Sequence, residues 1–193
     1  MLAGRMEQLG VRVTSLYKAG DDAGEVCGII EREIDGVDIF FTTGGVSVGR
    51  RDIMRSALER LGARILFWRV ALKPGSPVLA ATYRNKPLLC LSGNPFAALT
   101  NFELLGRSAL FKLSGDEKLK LASINGVMED RFPKPSPQRR FLRAVCEEGR
   151  VKIPEYSHSS GALLSLLGSN ALIDIPEGNQ GLEPGDNVDL VML

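Results

Sequence analysis

Val37-Asp-Ile-Phe-Phe-Thr-Thr-Gly-Gly-Val-Ser-Val-Gly-Arg-Arg-Asp52 is the stretch whose reading decides the fold. Its first seven residues are a nearly continuous apolar run, the pattern of a strand buried on both faces of a parallel sheet. Gly44-Gly45 ends the run, and a helical pattern follows from Asp52 to Leu61 with Gly62 as its stop. Glycines at the carboxyl end of a parallel strand let backbone N–H groups approach a ligand closely. The next helix N-terminus adds partial positive charge, which favours phosphate or another oxyanion. Asp52 carries two readings that the residues leave open. It caps the helix, a contribution of roughly 1 kcal/mol, or it turns into the crevice and holds a divalent cation.

Outward from this unit, helix and strand patterns alternate. Leu2 to Leu9 has the spacing of a helix face, and Val11-Arg-Val-Thr-Ser-Leu-Tyr17 alternates as a strand. Asp22 to Ile34 predicts a surface helix. Arg64 to Val70, Pro77 to Tyr83 and Pro87 to Leu91 predict strands, with Asn85-Lys86 as a turn, and Pro95 to Leu113 a long helix. Such alternation implies an α/β fold, a three-layer open and mostly parallel sheet with helices on both faces. It opens on a helix where such sheets open on a strand, so the first strand is expected to be missing from it.

After Gly115 the composition changes. Phe132-Pro-Lys-Pro-Ser-Pro137 cannot continue a helix or a central strand. Short strands are predicted at Gln138 to Glu147, Val151 to Pro154, Ala171 to Ile175 and Asn187 to Leu193, separated by Gly and Pro turns. The expected division is an N-terminally incomplete α/β domain over 1–116 and a small, mostly β, barrel-like domain over 117–193.

The chain has 193 residues and a formal net charge of +1, which gives no global attraction to nucleic acid or a membrane surface. No run approaches the roughly 20 apolar residues of a membrane span, and Met1 to Val11 does not read as a signal peptide. Cys27, Cys90 and Cys146 are odd in number and widely spaced, and His158 is the only histidine. A structural zinc site is therefore not expected, and free thiols in a reducing cytoplasm are expected.

Three further stretches bear on chemistry. Leu91-Ser-Gly-Asn-Pro-Phe-Ala-Ala98 repeats the design of strand, glycine turn and helix, with Asn94 as N-cap and Pro95 at the first helical position. A ligand with several oxyanions can touch both turns, because open α/β sheets bind ligands outside the carboxyl ends of their strands. Ala71-Leu-Lys-Pro-Gly-Ser-Pro77 holds Lys73 in a loop stiffened by prolines, with Arg69 four residues upstream. Asp21-Asp22 is either a helix cap or a carboxylate sharing a Mg²⁺ site with Asp52.

Taken in order, Thr-Thr-Gly-Gly-Val-Ser-Val-Gly-x-x-Asp, Lys-Pro-Gly-x-Pro and Gly-Asn-Pro resemble the molybdopterin-binding domain of molybdopterin molybdenumtransferases, the family that includes the gephyrin E domain. Phe141-Leu-Arg-Ala144, Ser159-Ser-Gly161 and Ser169-Asn-Ala-Leu172 resemble its C-terminal domain. The resemblance implies a transferase that inserts molybdate into adenylated molybdopterin and releases AMP with Mg²⁺ assisting. It implies Asp21 and Asp52 as metal-holding carboxylates, with Arg69 and Lys73 beside the molybdate and phosphate. It implies a cofactor-binding wall from Thr43, Gly44, Gly45, Ser47, Gly49, Pro74, Gly75, Ser92, Gly93, Asn94 and Pro95, with Arg143 and Ser160 reaching in from the second domain. It also implies a cytoplasmic homodimer with a molybdopterin adenylyltransferase as partner, and no nucleic acid or membrane. Ser76 stands where the family usually has a second lysine, Ser92 where it has proline, and Arg69 where it often has lysine. The family's opening strand, with its acidic motif, and its N-terminal domains would precede Met1. Two other readings stand beside the enzyme: a module that binds molybdopterin or its nucleotide without transfer, and an interaction scaffold.

Overall fold

The computed structural model describes residues 1–46, 52–154 and 168–193. The chain folds as an α/β unit followed by a small closed β-barrel, as its sequence predicts. Helix α1 (Leu2–Gln8) buries Met6, and α2 (Ala23–Glu33) buries Val26 and Ile30 on one stripe. The four-stranded sheet runs in the order β1 (Phe40–Thr43), β5 (Lys86–Leu91), β4 (Leu79–Tyr83), β2 (Arg64–Trp68), with α3 (Ile53–Arg60) between β1 and β2 in the chain. Alternate residues of β4 and β5 enter opposite cores. Leu79, Ala81, Leu88 and Cys90 pack with α2 and α3. Ala80, Leu89 and Leu91 pack with Met6, Ala98 and Phe102.

The ladders differ from the mostly parallel expectation. β1–β5 is parallel, whereas β5–β4 and β4–β2 are antiparallel. The cause is local: Arg84 (φ 47°) and Asn85 (φ 61°) form a tight left-handed turn that forces β4 and β5 into a hairpin. That turn lies one residue earlier than Asn85-Lys86.

Val11–Tyr17 forms no strand. A strand exists only as a pair, and β1 is laddered to β5 alone. Val11 and Val13 are half-buried against the Met6 and Phe102 core, while Leu16 is 76% and Tyr17 50% exposed.

The long helix is continuous from Pro95 to Ser114 but not uniform. α4 (Pro95–Asn101) passes through a π-helical turn (Phe102–Gly106) into α5 (Arg107–Ser114), which stops at left-handed Gly115. Beyond it, β6 (Ser123–Met128), β7 (Arg139–Glu147), β8 (Arg150–Lys152), β9 (Ala171–Ile175) and β10 (Asn187–Met192) form the barrel, closed where β9 returns to β7. Of these, β6 was not predicted. A short strand β3 (Leu72–Lys73), thrown out from the α/β unit, pairs in parallel with the start of β7 at Arg139 and Arg140.

Candidate active site

Two glycine turns meet at the carboxyl ends of β1 and β5. Gly44 (φ 86°) and Gly45 (φ 69°) take left-handed conformations that end the strand abruptly. The Gly44 N–H donates to the Leu91 carbonyl at 3.0 Å, which extends the β1–β5 ladder into the turn. A Cβ placed on Gly93 would stand 3.2 Å from the Gly44 Cα, tighter than an ordinary contact, so the two turns lie against each other backbone to backbone. The junctions read separately in the sequence therefore form one surface, with Thr43 and Gly93 exposed on it.

Each turn feeds a capped helix. Asn94 accepts from the Ala97 N–H at 3.1 Å, Pro95 occupies the first turn, and the Asn94 N–H donates to the buried Ser92 hydroxyl at 3.3 Å. On the other side, Asp52 Oδ1 accepts from the Arg55 N–H at 3.0 Å while the Met54 N–H donates to the Gly45 carbonyl at 3.1 Å. The cap reading of Asp52 thus holds for one oxygen. Oδ2 is buried and has no hydrogen-bond partner among the described residues. A carboxylate oxygen out of water is costly unless something else binds it. The neighbouring Cys90 thiol is pushed up to about 12 by burial, with the Thr42 hydroxyl working weakly against this and the Asp52 charge adding to it.

Asp21 is placed differently. The cap of α2 is Asp22, which accepts from the Glu25 N–H at 2.8 Å, and Asp21 is exposed. It lines a groove along the outer side of β1 that ends at Gly44 and Gly45; Asp52 does not line that groove. No group of three or more His, Cys, Asp or Glu gathers among the described residues.

The Lys73 loop is held from beneath. The Lys73–Pro74 bond is cis, and Gly75 (φ 104°) offers its carbonyl to Asn101 Nδ2 at 2.8 Å. A Cβ on Gly75 would come within 2.5 Å of that nitrogen. Asn101, fully buried in α4, also accepts from the Ser92 N–H at 3.5 Å, so one amide joins the Lys73 loop to the second glycine turn. Lys73 itself is exposed. Arg69, also exposed, sits at φ 73° at the base of the loop, where its N–H donates to the Val78 carbonyl at 2.7 Å.

Arg143 packs on the start of the long helix. It is 4% exposed, and its guanidinium lies 4.3 Å from the Phe96 ring centre, so it fixes the start of α4 against β7. Burial lowers its pKa from the usual arginine value. Ser47, Gly49 and Ser160 lie outside the described residues.

Two buried polar features went unread in the sequence. Asn101 is the one amide side chain between Pro95 and Leu113, beside Thr100 and Glu103. Glu103, fully buried in the π turn, pairs with Arg5 at 2.6 Å and Arg107 at 2.8 Å. Arg107 further donates to the carbonyls of Lys118, Lys120 and Met192, which ties α1, the long helix and the barrel together.

Comparison with known proteins gives the family. Residues 1–112 match the family described as a probable molybdopterin binding domain, and residues 125–193 match the MoeA C-terminal region, domain IV. Molybdopterin molybdenumtransferase of Staphylococcus aureus strain COL is 31% identical over 195 residues, covering all of this chain and 46% of its own length. The Staphylococcus epidermidis enzyme, strain ATCC 12228, is 32% identical with the same coverage. The chain spans about half the length of the curated relatives it matches. Among solved structures, a molybdopterin biosynthesis moeA protein from Pyrococcus horikosii superposes with a TM-score of 0.83 at 25% identity, over 99% of this chain and 46% of that one. A molybdenum cofactor biosynthesis protein from Pyrococcus furiosus superposes at 0.78 and 23% identity, over 100% and 62%, and supports the fold.

Proposed function

The chain belongs to the molybdopterin-binding MoeA family, and on that premise we propose that it carries the crevice in which molybdate is inserted into adenylated molybdopterin with release of AMP. The observation that carries the reading is the single surface made by the Gly44–Gly45 and Gly93 turns, beside Asp52, whose Oδ2 has no hydrogen-bond partner among the described residues. The N–H groups that the ladder and the caps leave open in the turns and at the starts of α3 and α4 hold phosphate oxygens. Lys73, on its tethered loop, and Arg69 offset the charge of molybdate and of the departing phosphate. Arg143 sets the start of α4 from the barrel side. Residues 1–116 supply the crevice and 117–193 the flank that steadies it.

The donor set fits Mg²⁺, a cation that takes oxygen ligands and is commonly held by one or two carboxylates plus substrate phosphates. Asp52 Oδ2 is such a ligand; Asp21, which lines the groove along β1 and not the surface beside Asp52, is left out of the cation site. A bound Mg²⁺ neutralises phosphate charge as the anhydride breaks. A cytoplasmic homodimer that receives its adenylated substrate from a molybdopterin adenylyltransferase belongs to the same reading.

The test is AMP release from adenylated molybdopterin with molybdate and Mg²⁺, comparing the chain with Asp52→Asn. Release lost in the variant is the expected result. A second reading, a module that binds the pterin without transfer, is favoured by Ser76, which stands where the family usually has a second lysine. Pterin binding with no AMP from either protein would select it.

A further inference from the structure

Asn101 is fully buried at the end of α4, and its side chain reaches two loops that lie 26 and 9 residues away in the chain. Its Nδ2 donates to the Gly75 carbonyl at 2.8 Å, and its Oδ1 accepts from the Ser92 N–H at 3.5 Å. One setting of the amide does both, nitrogen toward Gly75 and oxygen toward Ser92, because a carbonyl only accepts and an N–H only donates. Gly75 and Ser92 are themselves buried, so either backbone group would be costly to leave without its partner.

The two loops are the two sides of the crevice. On one side, the Val70 N–H donates to the Ser76 carbonyl at 3.1 Å and closes the foot of the Lys73 loop. Its tip is then held from two directions, by β7 through the pairing of Leu72 and Lys73 with Arg139 and Arg140, and by Asn101 through Gly75. The fit at Gly75 is close, since a Cβ there would stand 2.5 Å from Asn101 Nδ2. On the other side, the Ser92 hydroxyl accepts from the Asn94 N–H at 3.3 Å, and Asn94 caps α4. A shift of Ser92 therefore moves both the exposed Gly93 and the start of the helix. Lys73 is exposed on a long, flexible stem, so the reach of its ammonium is set by where the main chain holds its base.

We infer that Asn101 is a positioning residue for the crevice. It holds the Lys73 loop at a fixed span from the Ser92–Gly93 turn, so that the ammonium and the turn N–H groups meet one oxyanion-bearing ligand together. Asn101 touches no ligand and acts through Lys73. The inference rests on the crevice reading above and adds a residue which that reading does not use.

The test is a double-mutant cycle in ligand affinity, with AMP and Mg²⁺ as the probe and calorimetry as the readout. Lys73→Ala weakens AMP binding by about tenfold in the parent, the usual size for a hydrogen bond to a charged group. Asn101→Leu keeps the branched shape and loses both bonds, and in that background Lys73→Ala costs less than about twofold. Gly75→Ala pushes the loop off Asn101 from the other side and gives the same loss of coupling, which decides the matter if Asn101→Leu does not fold. Thermal melts run alongside. A merely stabilising Asn101 lowers the melting temperature and leaves the cost of Lys73→Ala unchanged, and that result in a folded variant overturns the inference. A parent that binds no AMP overturns the crevice reading and this inference together, whereas equal costs in a parent that binds AMP overturn the inference alone.

Discussion

Replacing Asp52 separates the two jobs that its oxygens do. Oδ1 closes the first turn of α3 on the Arg55 N–H at 3.0 Å, and Oδ2 has no partner among the described residues. Asp52→Ala removes both oxygens and leaves an N-terminal donor of α3 unsatisfied, at a cost of about 1 kcal/mol. For a chain of 193 residues each such kcal/mol lowers the melting temperature by roughly 2–4 °C. Asp52→Asn keeps an oxygen in the capping position and loses only the charge. Asparagine caps as well as aspartate, so its melting temperature stays near the parent's. Arg55 retains its ion pair with Glu59 at 2.8 Å in both variants, so the α3 surface is otherwise undisturbed. The two variants therefore part in thermal melts and agree in chemistry. Both lose Mg²⁺-dependent AMP release, and only the alanine variant loses stability. Mg²⁺ at ten times its dissociation constant adds about 1.4 kcal/mol to the parent and nothing to either variant. Equal melting temperatures for Asp52→Ala and Asp52→Asn refute the capping argument. Full AMP release by Asp52→Asn refutes the ligand argument.

Three other outcomes follow from the packing. Arg107→Met strands Glu103 with Arg5 alone and frees the carbonyls of Lys118, Lys120 and Met192. Loss of a buried pair of this kind costs about 3–5 kcal/mol in denaturant unfolding, and a loss under 1 kcal/mol would show that the network is not needed. Gly75→Ala destabilises by more than the roughly 1 kcal/mol of ordinary glycine replacement, because the new Cβ adds a 2.5 Å clash with Asn101 to a φ of 104°. Adding Asn101→Ala recovers part of that loss in a double-mutant cycle, whereas strict additivity would remove Asn101 from the account. The Cys90 thiol, raised from 9.0 to about 12, stays protonated in the fold where the unfolded chain ionises. Its contribution is complete below pH 9 and declines by about 1.4 kcal/mol per pH unit above it. Urea melts at pH 8 and 10 for the parent and Cys90→Ala check this, and equal pH slopes would contradict it.

What the sequence made legible follows the range of the forces involved. Gly44-Gly45, Asn94-Pro95 and Asp22 act on neighbours within a few residues, so their turns and caps stand in the structure where their patterns put them. Strand pairing is not local. Val11–Tyr17 has the alternation of a strand and forms none, because its ladder partner is a property of the fold and not of the segment. Strand β6 (Ser123–Met128) is the opposite case, a strand that was not predicted and that forms with Gly126 inside it. A Cβ there would stand 2.5 Å from Val151 Cγ2, so the barrel requires the absent side chain at that point. The same division runs through the site. Residues that cap a helix or turn a strand were legible. Asn101 and Glu103, which hold the Lys73 loop and the barrel in place, were not, because only the folded chain brings Gly75 to Asn101 and Arg5 to Glu103; the helical spacing of Glu103 and Arg107 is local but does not show their burial. A reading from local pattern thus identifies the groups that face a ligand before it identifies the buried ones that fix their positions. The Asn101 cycle tests that second class directly.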